Sequence, residues 1–405
     1  MAGKNRKKGA GSVLGWASTV AVVAMIAAAG VASLYLYLEF LDRQRHRDGF
    51  SSRDLMVPAG NIRNFTVEEP PLYIQGGPAP QYSCSLGWYR NDDTGLMIGY
   101  EGFGSMFNFH MENKGPSDLY IEDINVELGW GTIHTRSVGR YVDTGTEADL
   151  GHLFIPIPEP LPEESKRTYK VSVGILIEGS QAWIRGKDAE FETSGFDLRE
   201  TGRSNPNMTY ERNTYYLYDR IVPKIEKDLP RLISIAENNS LGGDGFDVQD
   251  IADVFEFVKH SIDYIPDSSS SADQWYSPCE TMDRGGGDCE DWAMLFSGLI
   301  TAIGGTSRVI ITKGHAFSAV YLGENSAVLN DIQNRYGTTI PFLLWKDDLG
   351  TWLIVEPQSN LIFGWLPIDC LPATDPIESM RVYGMPRMGW ACDGSETISI
   401  VDIYL

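Results

Sequence analysis

The sequence of 405 residues predicts an α+β protein with a membrane-spanning helix followed by two folded domains. Three observations predict it: a long apolar run near the N-terminus, a region of short strands, and a glycine-rich turn before an amphipathic helix that carries a cysteine. We expect a basic cytoplasmic tail at 1–12, a transmembrane helix at 13–38, a linker at 39–62, a β-domain at 63–201 and an α+β domain at 207–405.

The apolar run at residues 13–38 contains no charged residue. A bilayer core needs about 20 apolar residues, so the run is long enough to span it. Lysine and arginine are in slight excess before the run, which predicts a cytoplasmic N-terminus and extracellular domains. A cleaved signal peptide is the alternative, because Val31, Ala32 and Ser33 are small or weakly polar. The run continues beyond them, which favours an uncleaved single-pass anchor in contact with the lipid bilayer.

Residues 63–201 predict a β-sandwich. Runs at 107–111, 119–128 and 169–178 are rich in β-branched and aromatic residues, and turns separate them. Several strands at this spacing are typical of an immunoglobulin-like sandwich. The region contains no convincing catalytic set, so we expect it to act as a spacer or to bind a partner.

Net charge restricts the partners. The formal net charge is −22 at pH 7. A surface of this sign repels nucleic acid, so we expect no nucleic-acid partner.

The cysteine count predicts one free thiol. The five cysteines are Cys84, Cys279, Cys289, Cys370 and Cys392. Thiols outside the cell tend to pair, and an odd number leaves one over, for which Cys289 is the natural candidate. We prefer a Cys370–Cys392 bond with Cys84–Cys279 as the second bond; four unpaired structural cysteines stay open.

Cys289 lies in the run GGGDCEDWA at residues 285–293. The three glycines allow a sharp bend and a close approach to a substrate, and Asp288 is a good N-cap residue. Apolar residues then recur at helical spacing until Gly304 and Gly305 end the helix. Cys289 is therefore expected in a first helical turn, where unpaired N–H groups and the helix dipole favour a thiolate.

A histidine and a carboxylate follow downstream. His315 opens a predicted strand, and a thiol with an imidazole on a neighbouring strand is the arrangement of a thiol hydrolase or acyl transferase. A third polar group usually orients the imidazole. Glu356 ends a predicted strand and is the candidate; Asp331 remains an alternative.

Taken together, residues 264–357 resemble the transglutaminase-like superfamily of papain-type thiol enzymes, most closely its archaeal and bacterial members. The resemblance implies Cys289 as nucleophile and His315 as base, on a helix packed against an antiparallel sheet. Glu356 stands where the family usually has aspartate, after an apparent insertion at 324–350. The matching pieces are residues 264–267, 275–278, 285–293 (GGGDCEDWA), 314–316 (GHA) and 352–357 (WLIVEP).

This resemblance implies acyl transfer from a peptide or glutamine amide of a cell-surface protein through a cysteine thioester. Hydrolysis is favoured slightly over crosslinking because water is abundant outside the cell. A catalytically inactive surface binding or adhesion module is the alternative. Trp275, Gly287 and Trp292 are the candidate substrate-binding residues.

We expect no cofactor and no metal site. The histidines and cysteines lack the spacing of a zinc site. Asp288, Glu290 and Asp291 flank the thiol, and their oxygens leave calcium open as a ligand.

Overall fold

The computed structural model describes residues 25–37, 49–90, 94–102, 104–158, 160–161, 167–200, 209–267, 274–312, 315–324, 327–338, 344–358 and 397–405. It contains α and β elements arranged in several sheets. Phe50–Ile403 form one compact unit, to which the N-terminal helix does not belong. The boundary predicted at 201–207 lies outside the described residues and stays a prediction, as does the Cys370–Cys392 bond.

The predicted membrane helix is not supported. Helix α1 occupies residues 25–37, and the other residues of the predicted span, 13–24 and 38, lie outside the described ones. No helix within the described ranges is long and apolar enough to cross a membrane. The predicted single-pass topology with extracellular domains is therefore wrong.

Strands dominate the part of the described chain that we call the strand region (residues 73–200). Hydrogen bonds between its described residues join them into one ten-stranded sheet. The strands are β1 (Tyr73–Gln75), β2 (Cys84–Trp88), β3 (Met97–Glu101), β4 (Gly104–Asn113), β5 (Leu119–Leu128), β6 (Ile133–Val142), β7 (Glu147–Pro156), β8 (Thr168–Glu178), β9 (Trp183–Arg185) and β10 (Ala189–Glu200).

The ten strands form one connected sheet rather than two separate ones, because β10 takes part in the ladders of both layers. Its first part, from Ala189 to Gly195, pairs antiparallel with β8, and a register shift interrupts that ladder. Its last part, from Phe196, pairs parallel with β3. A bulge bends and twists a strand locally, which allows one strand to serve two layers. The buried side chains of both layers form a single hydrophobic cluster.

The remaining described elements form the thiol region (residues 209–402). They are β11 (Thr209–Arg212), α2 (Tyr215–Asn238), α3 (Val248–Ser261), β12 (Asp263–Tyr264), α4 (Pro278–Arg284), β13 (Gly286–Gly287), α5 (Cys289–Ala302), β14 (Ser307–Thr312), β15 (His315–Gly323), α6 (Ala327–Tyr336), β16 (Leu344–Asp347), β17 (Gly350–Val355) and β18 (Thr397–Asp402).

The main sheet of the thiol region has the strand order β11-β18-β14-β15-β17-β16. Its ladders are antiparallel except for β11 with β18, so the sheet is mixed rather than purely antiparallel. Helix α5 packs against β15, where the Ser318 hydroxyl donates to the Ala293 carbonyl at 3.0 Å. The sheet therefore fixes the depth and direction of α5.

A buried ion network fastens the C-terminal strand β18. The Arg308 guanidinium is 1% exposed; it donates to Asp402 at 3.0 Å and to Asp347 at 2.6 Å. It also lies 3.5 Å from the ring centroid of Trp352. Two carboxylates and an aromatic face compensate the cost of burying this charge.

Two predicted disulfide partners are free thiols. Cys84, Cys279 and Cys289 are all unbonded. Cys84 lies on β2 of the strand region and Cys279 on α4 of the thiol region. The predicted Cys84–Cys279 bond is therefore wrong.

Candidate active site

Cys289 is the first residue of α5, and Asp288 is its N-cap residue with an extended backbone. The backbone N–H of Ala316 lowers the pKa of the Cys289 thiol, against the burial that raises it. Its S–H donates to Oε2 of Glu290 at 3.3 Å. The thiol thus lies against the start of β15, beside His315.

The glycine turn before Cys289 is held by a short parallel pairing of β12 with β13. The Ile265 N–H donates to the Gly287 carbonyl at 2.9 Å. A Cβ atom at Gly286 would meet the Asp263 carbonyl oxygen at 2.5 Å. A Cβ atom at Gly287 would meet the Asp291 carboxylate, also at 2.5 Å. These glycines are therefore required by packing, whereas a substrate contact at Gly287 stays a prediction.

His315 is half-buried at the first position of β15, across from Thr312. Its ring centroid lies 6.0 Å from that of Phe317. Successive side chains of a strand point to opposite faces, so His315 and Phe317 lie on the face opposite Ser318, which contacts α5. The sulfur of Cys289 therefore meets β15 at the backbone N–H of Ala316, and not across the face that Ser318 presents to α5.

Glu356 directly follows β17 and is 2% exposed. Because Ser318 pairs with Val355, continuing the register by one residue places Glu356 across from Phe317. Glu356 therefore lies on the same face of the sheet as His315. The alternative, Asp331, lies on α6, where a Cβ atom at Gly60 would meet its carboxylate at 2.5 Å. The sheet thus places Glu356 on the face that also carries His315.

The electrostatics around the thiol differ from the expected thiolate site. Burial, reinforced by the Glu290 carboxylate, raises the pKa of the Cys289 thiol well above its ordinary value. Burial also raises the pKa of Glu290 to about 8 and that of Asp291 to about 7. The helix N-terminus favours a thiolate, but desolvation and neighbouring negative charge oppose it and win. The resting thiol is therefore neutral near pH 7.

Trp275 and Trp292 occupy different environments. Trp275 is half-buried and packs on the cluster that includes Cys289. The Arg220 guanidinium lies 4.4 Å from its ring centroid, and Lys224 of α2 donates to its carbonyl. Trp292 is 3% exposed, and its indole N–H donates to the Gly287 carbonyl at 3.0 Å. Trp292 therefore supports the glycine turn, and its substrate contact stays a prediction.

Two side chains near the thiol, Tyr264 and Gln358, were not among the expected site residues. Burial raises the pKa of the Tyr264 phenol, the Asp288 and Glu290 carboxylates add to this, and the Gln358 side chain opposes it. Tyr264 lies within residues 264–267, a segment of the transglutaminase-like resemblance, so the sequence did point to this position. Gln358 follows Glu356 by two positions, and only the strand register reveals its place. The Ala316 amide is a backbone group that no sequence pattern specifies.

Three carboxylates near the thiol could hold a cation. One oxygen each from Asp267, Asp288 and Glu290 lies within 4.8 Å of the others. Glu290 is 6% exposed, and its Oε1 has no hydrogen-bond partner among the described residues. An all-oxygen group of this kind suits calcium rather than zinc.

No protein-family model and no curated protein sequence matches this chain. Similar solved structures include two candidate proteases. The chain is 12% identical to a candidate cysteine protease from Cytophaga hutchinsonii, over 75% of this chain and 92% of that one, with a TM-score of 0.24. It is 9% identical to a candidate protease from Parabacteroides distasonis, over 56% and 63%, with a TM-score of 0.21.

A third similar structure is the alkylpurine DNA glycosylase AlkC of Pseudomonas fluorescens bound to DNA with an abasic-site analogue. It is 13% identical over 30% of this chain, with a TM-score of 0.19. The chain spans 31% of the length of that protein. TM-scores this low carry no argument about activity, so the function has to be argued from the side chains of the site.

Proposed function

We propose that this protein is a transglutaminase-like thiol enzyme that cleaves peptide or glutamine amide bonds of a protein or peptide substrate. Cys289 is the nucleophile, His315 the general base and Glu356 the residue that orients the imidazole. The observation that carries the proposal is the effect of the Ala316 backbone N–H, which lowers the pKa of the Cys289 thiol against its burial. It supports the proposal because Ala316 follows His315, the proposed base, on β15.

In the proposed reaction His315 takes the thiol proton while the sulfur of Cys289 attacks the carbonyl carbon. The tetrahedral intermediate collapses to a thioester; the C–N bond breaks, and the leaving amine takes the proton from the imidazolium. Water then hydrolyses the thioester, or a lysine amine attacks the thioester in place of water. In this proposal, backbone N–H groups of the first turn of α5 stabilise the oxyanion, and such a donor is worth about 2.7–4 kcal/mol.

A raised thiol pKa makes proton transfer part of the attack. A preformed thiolate would need neighbouring positive charge, whereas the described neighbours of Cys289 are Asp288 and Glu290. Proton transfer to His315 as the carbonyl approaches avoids a buried anion in the resting enzyme. Glu356, on the same face as His315, stabilises the imidazolium that forms.

The test incubates the full chain with a glutamine-containing peptide library, with and without an alkylamine. Mass spectrometry then distinguishes cleavage, deamidation and amine incorporation. Cys289→Ala is expected to abolish every product. Cys279→Ala is the matched control, because Cys279 is a buried free thiol outside the site. Product formation that survives Cys289→Ala would end the proposal.

An inactive binding module is the second candidate, and one observation favours it. The Cys289 S–H is engaged by Glu290, and the thiol pKa is raised. A module of this kind needs no accessible thiolate. Iodoacetamide labelling of Cys289 that is independent of His315, together with no products in the peptide assay, supports the module.

The proposed ligands of a calcium ion are Asp267, Asp288 and Glu290. When bound, it would supply positive charge that offsets these carboxylates and favours the thiolate. Terbium luminescence on the full chain tests binding without any activity assay. Glu290→Gln is expected to remove the signal, and Asp244→Asn, on the exposed loop before α3, is expected to keep it.

A further inference from the structure

A cavity of about 720 Å³ lies between the strand region and helices α3 and α6. Strands β4 and β7 line one side, α3 and the end of α6 line the other, and residues 63–65 complete the lining. None of the lining residues belongs to the candidate active site. The cavity is thus a separate place where two parts of the fold meet, and such junctions are common ligand sites.

A buried cation lies directly behind the wall of this cavity. Arg136 is 4% exposed, and its Nε and Nη1 donate to the backbone carbonyls of Leu150, His152, Tyr336 and Gly337 at 2.5–3.2 Å. Its Nη2 has no hydrogen-bond partner among the described residues. Burial lowers its pKa to about 10, so it remains charged at neutral pH. The wall therefore carries a positive charge balanced by carbonyl dipoles rather than by a contacting carboxylate.

Four residues that line the cavity touch this guanidinium. His152 and Tyr336 accept its hydrogen bonds through their carbonyls. The Phe65 ring centroid lies 4.5 Å from the guanidinium carbon. A Cβ atom at Gly151 would meet Nη2 at 2.1 Å. Only one layer of atoms thus separates the charge from the cavity, and charges at such distances act strongly in a partly desolvated site.

Acidic side chains of the cavity are already engaged. Glu147 lies 3.8 Å from Nε2 of His110, and Glu256 lies 3.7 Å from Nδ1 of His260. Asp149 accepts a backbone N–H of its own strand at 2.8 Å. These contacts orient the carboxylates and reduce their effect on an incoming anion.

Three basic side chains also line the cavity, Arg63, Lys259 and Arg335. Arg63 and Arg335 have no carboxylate partner in the described ion pairs. We propose that this cavity binds a small molecule that bears carboxylate or phosphate oxygens, held by Lys259 and Arg335. Guanidinium and ammonium groups form short, charge-assisted hydrogen bonds with such oxygens. Glu147, Asp149 and Glu256 offset these three basic side chains in formal charge, so Arg136 behind the wall makes the local charge positive in a chain of net charge −22.

The histidines of the cavity do not indicate a metal instead. The one group of His, Cys, Asp or Glu in the described residues that is close enough to share an ion is Asp267, Asp288 and Glu290. His110, His152 and His260 are therefore too dispersed to ligate one metal. An organic or inorganic anion fits the cavity better.

The test titrates the full-length chain with citrate and with pyrophosphate by isothermal calorimetry, at constant ionic strength set by sodium chloride. One or both probes are expected to bind above the chloride background; the stronger one identifies carboxylate or phosphate as the source. Lys259→Gln and Arg335→Gln are each expected to weaken binding at least tenfold. Lys346→Gln is the matched control, because that lysine is exposed on β16, outside the cavity.

Unliganded melting temperatures establish that each variant folds. Arg335→Gln carries the test if Lys259→Gln does not fold. No binding of either probe above chloride, or equal binding by the wild type and every folded cavity variant, overturns the proposal. Neither result depends on acyl-transfer activity, so the outcome is distinct from that of the proposed function.

Discussion

The backbone N–H of Ala316 lowers the pKa of the Cys289 thiol, against the burial that raises it. This interaction links the first turn of α5 to the first residues of β15, which carry His315. The nucleophile and the base of the proposed reaction therefore come from two elements that pack together, and the Ser318 hydroxyl joins the same elements by donating to the Ala293 carbonyl. The opposing influence is Glu290, which accepts the S–H and favours the neutral thiol.

Glu290→Gln is expected to make Cys289 more reactive. The substitution removes a negative charge that raises the thiol pKa, so the thiolate fraction at a given pH increases. Iodoacetamide labelling at pH 9, where Glu290 is ionised in the wild type, is expected to be several-fold faster in the variant. Glu280→Gln, at the start of α4, is the control. An unchanged labelling rate would mean that burial alone sets the thiol pKa.

Asp291 makes stability depend on pH in a defined direction. Its pKa is raised in the folded protein to about 7, whereas it is about 3.9 in an unfolded chain. The folded state therefore binds more protons between these values, and stability falls as pH rises from about 4 to about 7. Melting temperatures between pH 5 and pH 8 are expected to decline less in Asp291→Asn, which keeps the oxygen that accepts the Tyr276 N–H.

A wild type and an Asp291→Asn variant with parallel melting curves across this range would contradict that assignment. Both titrations need the same buffer ionic strength, because salt screens the other carboxylates of this acidic chain. The comparison between the two proteins isolates the contribution of this one side chain.

The sequence predicted where the elements that carry Cys289 and His315 begin, but not the packing around them. Helix α5 begins at Cys289 because the glycine turn and Asp288 are local signals, and β15 begins at His315 for similar reasons. Whether β10 joins two layers, or whether Glu290 is buried against the thiol, depends on packing between distant segments. The apolar composition of residues 13–38 predicted a membrane span, which no helix within the described ranges supports.

Gly286→Ala is expected to destabilise the glycine turn. The added Cβ atom would meet the Asp263 carbonyl oxygen at 2.5 Å, and overpacking of this kind costs about 1–3 kcal/mol. Urea unfolding of the full chain measures the change. Gly243→Ala is the control, since a Cβ atom there has nothing within 4 Å. Equal unfolding free energies for the two variants would show that the β12–β13 pairing relaxes at no cost.

Asp402→Ala is expected to cost about 3–5 kcal/mol of unfolding free energy, because it leaves the buried Arg308 without one of its partners. Asp283→Ala provides the contrast: its pair with Arg231 is exposed, with side chains 60% and 52% accessible, and a solvent-screened pair of this kind is expected to change the unfolding free energy far less. Chemical denaturation of both variants gives the comparison. A loss below about 1 kcal/mol for Asp402→Ala would mean that β18 is fastened by its backbone ladder alone.

The most direct test of the proposed mechanism is capture of the acyl intermediate. The full chain is mixed with a p-nitrophenyl ester of an acylated glutamine, quenched in acid, digested and analysed by mass spectrometry. The mechanism requires the acyl mass on the peptide that contains Cys289, with a yield that falls at least tenfold in His315→Gln and is unchanged in Cys279→Ala. An acyl group found elsewhere, or a yield on Cys289 that His315→Gln leaves intact, contradicts it.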